Sequence, residues 1–400
     1  MQSLEFTVKV ITPTLMGGGF GQNDGIRPSE IKGMMRYWFR TVAGSVIGND
    51  IKALKSLEEK VFGSQERKSP FRIVISGLKE TDKINLSWLD LPNGVKYLGF
   101  VINMNKERLN NVIKAGSEFK VKFLFKNSVD NKIIKIVTYS FYLATALGGF
   151  GLRPRRGFGS WQILSIDTRG ITEDLEYLKN YDLGNIKEVI IKLRNLTGLN
   201  QNRNLNFRTV SENFICIHKL NGSSWKNAFD DLGKRYQSFR RNGLSTTPEY
   251  HNIKNYIKFG CNWRRINKNN WNFAFGLPIQ INSKKGIPSL LGLPPKKNRR
   301  GNIIPTSIGI FKIKHNSEIL ERLPSSVWFS IKEKDGNYYV VLTYLEGKLF
   351  PDENHDKVVF QFDKDLNLQS KCKNPPKSVE VEYDANDLKQ RAKDFVSRGR

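Results

Sequence analysis

Hydrophobic and polar residues alternate strictly at the start of the chain. Leu4, Phe6, Val8 and Val10 fall on one side, and Glu5, Thr7 and Lys9 on the other. That is the period of a half-buried strand. Gly17-Gly18-Gly19-Phe20-Gly21 breaks it. A helix is predicted from Pro28-Ser29, with Ser29 as N-cap and Ile31, Met34, Met35, Trp38 and Val42 on its apolar side. A second helix is predicted from Ile51 to Val61, stopped by Gly63, and a strand from Phe71 to Leu78. The stretch to Gly116 is less regular, with Pro92-Asn93-Gly94 read as a turn. Phe119, Val121, Phe123 and Phe125 are interleaved with Lys120 and Lys122, which predicts another strand. Ile133 to Leu147 is apolar and long enough for a buried helix, and Trp161 to Ile166 reads as a closing strand.

The order strand, helix, strand, strand, helix, strand is the split βαβ, or ferredoxin-like, arrangement. It places the run Gly148 to Ser160 between the second helix and the last strand. A domain boundary is expected near Asp167 to Gly170. Beyond it, Trp225, Phe229, Leu232, Tyr236 and Phe239 recur at helical spacing and predict an amphipathic helix whose aromatics belong to a core. Glu249 to Trp271 is polar, basic and aromatic, with Trp263-Arg264-Arg265 at its centre, and Trp263 and Trp271 are candidate base-stacking residues. Lys296-Lys297-Asn298-Arg299-Arg300-Gly301 reads as a basic loop. Val327 to Lys332 and Tyr338 to Leu345 pair through Asp335-Gly336 as a hairpin. Asp384 to Val396 reads as a polar helix.

Composition narrows the function. The chain has 400 residues, of which 39% are hydrophobic, enough for packed cores and two ordinary domains. Its 65 Lys and Arg against 38 Asp and Glu give a net charge of +27. An excess of this size points to a polyanion, with nucleic acid ranked above a merely solvated surface and an anionic membrane third. No apolar stretch approaches a spanning helix, and the opening residues lack a signal-peptide pattern. Cys216, Cys261 and Cys372 are scattered and odd in number, so neither a disulfide framework nor a zinc site is expected, and a reducing cytoplasm fits. Cys216 and His218 read as a core cysteine beside an incidental histidine.

Two cationic elements stand out. Lys32, Arg36 and Arg40 lie at i, i+4 and i+8 of the first helix, with Arg27 just before it. Such a stripe can follow a phosphate backbone, or can simply be solvated. The run Gly148-Gly149-Phe150-Gly151-Leu152-Arg153-Pro154-Arg155-Arg156-Gly157-Phe158-Gly159-Ser160 combines glycines, which permit close backbone approach, with planar cationic forks suited to phosphate. It lacks the lysine of a P-loop, and its position before a strand excludes a Rossmann loop. Catalysis has little support. Of His218, His251, His315 and His355, His251 is the best candidate for a general base in a metal-independent ribonuclease. Asp24, in Gln22-Asn23-Asp24-Gly25, is a second candidate that could act on RNA from a loop above the sheet, although Asp before Gly is more often a turn residue. No carboxylate cluster suggests a two-metal nuclease, and no cofactor motif is present.

Three stretches resemble the RAMP superfamily, and more narrowly the first-numbered subunit family of the Cmr, or type III-B, CRISPR effector complex. They are Val10 to Leu15 with its glycine loop, Arg27 to Arg40, and Gly151 to Ser160, with a weaker echo in Phe275-Gly276-Leu277-Pro278 and Arg299-Arg300-Gly301. The resemblance implies an α+β fold of two ferredoxin-like (βαββαβ, RRM-like) domains with insertions, over residues 1–168 and 169–400. It implies a non-catalytic subunit that binds guide or target RNA at one end of a filament beside other Cmr-complex proteins. The implied RNA contacts are Arg27, Lys32, Arg36, Arg40, Arg153, Arg155 and Arg156, with Gly148, Gly149, Gly151, Gly157 and Gly159 shaping the loop. A metal-independent RNA-processing endonuclease and a protein-only scaffold are the competing readings.

Overall fold

The computed structural model describes every residue except 1, 18–22, 49, 198–206, 243, 245–246, 263–270, 277–278, 284–305, 317, 321, 364–367, 369–371, 373–375 and 400. Gly18 to Gly21, Trp263-Arg264-Arg265 and the basic loop at 296–301 therefore lie outside the described residues. The elements are β1 (Gln2–Val10), α1 (Pro28–Ile47), α2 (Ile51–Phe62), β2 (Phe71–Ser76), β3 (Lys83–Ile84), α3 (Asn93–Gly99), β4 (Val112–Ile113), β5 (Glu118–Phe125), α4 (Asn131–Ala146), β6 (Trp161–Arg169), α5 (Leu183–Thr197), β7 (Thr209–Lys219), α6 (Trp225–Arg241), α7 (Pro248–Lys258), β8 (Ile279–Ser283), β9 (Thr306–His315), β10 (Glu318–Leu320), β11 (Val327–Lys334), β12 (Asn337–Glu346), β13 (Lys357–Phe362), β14 (Ser378–Val381) and α8 (Ala385–Arg398). The result is a mixed α+β chain that divides into two compact units.

The first unit comprises Met1–Gln237, Val327–Gly347 and Val396–Gly399, so residue 168 falls within it. Its four-stranded antiparallel sheet has the order β2-β5-β1-β6. The inward residues Leu4, Phe6 and Val8 of β1 meet Phe119, Val121 and Phe123 of β5 in one core with Ile31, Met35 and Phe39 of α1 and Val137, Phe141 and Ala144 of α4. Alternation decides which face is buried, because a strand's side chains point up and down in turn. A second sheet of this unit has the order β11-β12-β7. In chain order it reads β7, α6, β11, β12, and these occupy the same relative places as β1, α1, β2 and β5 in the first sheet. The hairpin turn has Asp335 at φ +51° and Gly336 at +71°, the left-handed pair that a tight two-residue hairpin requires.

The second unit comprises Ser238–Ser326 and Lys348–Phe395. Its sheet runs β10-β9-β13-β14, with β8 also on β9. Glu249, fully buried, accepts from Asn272 N at 2.6 Å and Nδ2 at 3.1 Å, and Arg391 donates to Asn272 Oδ1 at 3.2 Å.

Four expectations are corrected. The N-cap of α1 is Arg27, because Pro28, with its fixed φ and missing N–H, takes the first helical position. Pro92-Asn93-Gly94 opens α3 instead of making a turn: Pro92 is the N-cap, and Gly94 N donates to Asp230 Oδ1 of α6 at 2.7 Å. Cys261 and Cys372 form a disulfide, two residues 111 apart in sequence that folding brings together. Trp271 is no stacking platform, since it is 1% exposed and stacked on Phe273.

Candidate nucleic-acid interface

The stripe on α1 lies against α2 and the start of β2. Arg36 and Arg40 share one carboxylate, Glu58, at 3.6 and 3.3 Å. Arg36 also donates to Gly63 O, which is the C-cap of α2. Lys32 reaches Ser69 Oγ at 3.1 Å and sits 4.8 Å from the centre of the Phe71 ring. Burial pushes the Lys32 ammonium below its ordinary value, and neighbouring Arg36 adds to the effect. Two guanidinium groups thus share one carboxylate, and Arg40 is half exposed. Arg27 is separate from them, donating to Gly17 O and standing 3.5 Å from Glu30.

The G-rich loop faces inward. Its backbone is bonded to the segment after β1: Gly159 N donates to Pro13 O at 3.0 Å, Leu152 N to Leu15 O at 2.6 Å, and Thr12 Oγ1 to Gly157 O at 2.6 Å. Gly151 and Gly159 have φ of +88° and +64°, and a Cβ on either would collide with Leu15 O or Phe150 O. The close approach that glycine permits is therefore to the chain's own backbone. Gly148 lies against the Trp38 indole, Gly149 against Phe158 O and Gly157 against the Phe229 ring.

The loop arginines follow the same direction. Arg153 donates Nε and Nη2 to Leu98 O at 3.1 and 2.8 Å. Arg155 lies 4.7 Å from the Trp328 ring and 5.4 Å from Tyr37, and burial lowers its pKa, although a guanidinium stays charged at neutral pH. Arg156 is 9% exposed and sits 4.9 Å from the Tyr236 ring and 5.3 Å from Phe329. Helix and loop do meet, but at Tyr37 and Trp38 and not along the stripe, so the two cationic sets lie on different sides of α1. Nothing in the spacing of the arginines announced the aromatic partners Tyr37, Tyr236, Trp328 and Phe329. Only the aromatic content of the predicted α6 and of the hairpin hinted at them.

The candidate bases are dispersed. His251 is exposed on α7. His218 pairs with Val396 O at 2.7 Å, His315 with Asp356 at 2.6 Å and His355 with Asp352 at 2.8 Å. Asp24 is exposed, and its N–H is bonded to Met16 O. Among the described residues no three His, Cys, Asp or Glu side chains converge on a metal-sized site, and no helix is long and apolar enough to cross a membrane.

Residues 7–162, which hold the loop, β2, β5 and parts of β1 and β6, match the RAMP superfamily, and that is the class this fold defines. Two relatives from Pyrococcus furiosus are "CRISPR system Cmr subunit Cmr1-1", 32% identical over 198 residues, and "CRISPR system Cmr subunit Cmr1-2", 33% identical over 178 residues. The matches take in 48% and 40% of this chain, and 57% and 93% of the respective relatives, so the chain spans little more than half of the first. The chain belongs to the Cmr1 family of the RAMP superfamily. Its fold is similar to that of apo Cmr1 from Pyrococcus furiosus, with a TM-score of 0.54, 22% identity, and coverage of 100% of this chain and 97% of the other. It is also similar to a chain of the type III-B Cmr-beta complex bound to cognate target RNA, with a TM-score of 0.55, 14% identity and 99% coverage of both.

Proposed function

We propose that the chain is a non-catalytic, RNA-binding subunit of a type III-B CRISPR ribonucleoprotein, working in the cytoplasm beside other Cmr-complex proteins. On this reading residues 1–168 are one ferredoxin-like domain, and the rest is a divergent second one carrying helical and hairpin insertions. The repeated β-α-β-β order of β7, α6, β11 and β12 supports that division. Guide or target RNA passes along α1. The observation that carries the reading is the α1 cluster, where Arg36 and Arg40 share the single carboxylate of Glu58, with Lys32 one turn before Arg36, in a chain of net charge +27. A polyanion relieves such an imbalance and releases its own counterions in doing so. The solved Cmr-beta particle, which includes a chain of this fold, holds cognate target RNA.

The test compares Arg36→Gln/Arg40→Gln with its parent, both in a Glu58→Gln background so that no carboxylate is stranded. Affinity for single-stranded RNA is measured across a salt series. Loss of two phosphate contacts lowers the slope of log K against log salt by about 1.4, at roughly 0.7 per contact. An unchanged slope removes this part of α1 from the interface.

A further inference from the structure

We propose that Lys332 is the positioning residue of the G-rich loop, its one ammonium pinching together the two stems from which the loop springs. The stems are the last turn of α4 and the first residue of β6. Lys332 Nζ donates to Thr145 O at 2.6 Å on one stem and to Trp161 O at 2.9 Å on the other. Its third proton meets Ser330 Oγ at 2.9 Å. An ammonium has three donors and no acceptor, and here three acceptors receive it. Lys332 is 3% exposed, and among the described residues no carboxylate pairs with it. Burial therefore pushes its pKa well down, while the three acceptors favour the charged form.

Two further observations support a dedicated clamp. The last turn of α4 has no basic residue of its own. Its terminal carbonyls lack intrahelical partners and carry the negative end of the helix dipole, so a cation from elsewhere suits that position. The rest of β11 holds the same stems: Ile331 N donates to Ser160 Oγ at 3.0 Å, Glu333 N to Gln162 Oε1 at 3.1 Å, and Gln162 Nε2 to Glu333 O at 3.0 Å. Trp328 and Phe329 of this strand lie beside Arg155 and Arg156. A strand 171 residues further along the chain than Trp161 thus sets the mouth of the loop.

The consequence for RNA rests on the function proposed above, whereas the clamp is testable without RNA. Lys332→Met keeps the stem's bulk and removes all three donors. Hydrogen exchange is followed at Phe150, Leu152 and Gly159 of the loop, with the β1–β5 ladder as internal control. The clamp predicts exchange at least about tenfold faster in the loop with the ladder unchanged, because two buried carbonyls lose their donor. Equal acceleration in loop and ladder, or an unchanged loop, overturns it. Should Lys332→Met not fold, Ser330→Ala removes one acceptor and predicts a smaller acceleration confined to the same amides; no acceleration there overturns the clamp. RNA affinity of the folded variant is read separately. A loosened loop with wild-type affinity, where the wild type binds RNA, supports RNA passing along α1 and away from the loop. A loosened loop with weaker binding overturns that separation while the clamp stands. A wild type that binds no RNA sinks the functional reading alone.

Discussion

The α1 stripe and the G-rich loop carry the same kind of residue and do opposite things with it. On α1, Arg36 and Arg40 converge on a single carboxylate, Glu58, and Arg40 stays half exposed. In the loop, Arg155 and Arg156 lie over the rings of Trp328, Tyr37, Tyr236 and Phe329. A guanidinium over a ring keeps its charge but spends its planar face on the protein. The number of arginines in a segment therefore does not say whether they bind a ligand or hold the fold. That depends on what stands beside them. In this family member the loop is a joint between two sheets of one unit, whereas Arg40 of the stripe stays half exposed.

Reversing one loop charge breaks this comparison most severely. Arg156→Glu places an acid among aromatic ring faces and costs more than about 3 kcal/mol, enough to lose most of the native fold. Thermal unfolding of the full chain checks it, and a melting temperature within a few degrees of wild type would show that Arg156 is no rivet. The same argument rules out charge reversal at Arg155 and Arg156 as a test of RNA binding, since it would test folding instead. Glycine gives the next contrast. Gly159→Ala forces a Cβ into Phe150 O at φ +64° and is expected to cost about 2–4 kcal/mol. Gly33→Ala, on an open face of α1 with nothing within 4 Å, should stabilise by roughly 0.5–1 kcal/mol. Equal effects in urea denaturation would mean that the two glycines do not differ as described.

Periodicity made the first sheet legible. Strict alternation in β1 and β5 and the apolar length of α4 left little choice of element or face, and the Asp335-Gly336 turn was readable for the same local reason. The disulfide was not legible, because Cys261 and Cys372 meet only through tertiary packing. Lys332 was missed because a lysine in an alternating strand reads as a solvent residue, and its acceptors lie 171 and 187 positions away. The Glu249 network escaped notice for the same reason. At the candidate site the glycines and arginines stood out in the sequence as a phosphate-suited loop. Their physical reason differed: the glycines admit backbone from residues 13–15, and the arginines meet rings that no local spacing predicts.

A third set of cations tests the comparison at its mildest. On the sheet face opposite α1, Glu5 is shared by Lys120 at 2.7 Å and Lys122 at 3.2 Å, which repeats the two-to-one pattern of Arg36, Arg40 and Glu58. The bond from Lys120 holds the Glu5 carboxyl below its ordinary 4.5, against an opposing effect of burial, with Lys122 adding to the lowering. The unfolded chain then binds the proton more readily than the folded one as the solution is acidified. The contribution of Glu5 is present above the unfolded value and disappears as pH falls through the lower folded value. Wild type should accordingly lose slightly more stability than Glu5→Gln between about pH 6 and about pH 3, and the difference should shrink in high salt because the lysines are exposed. Superimposable acid limbs would show that sharing a carboxylate leaves cations on this surface energetically uncommitted. The same pattern on α1 would then leave Arg36 and Arg40 correspondingly available to a phosphate chain, and the contrast with the aromatic-held arginines of the loop would widen.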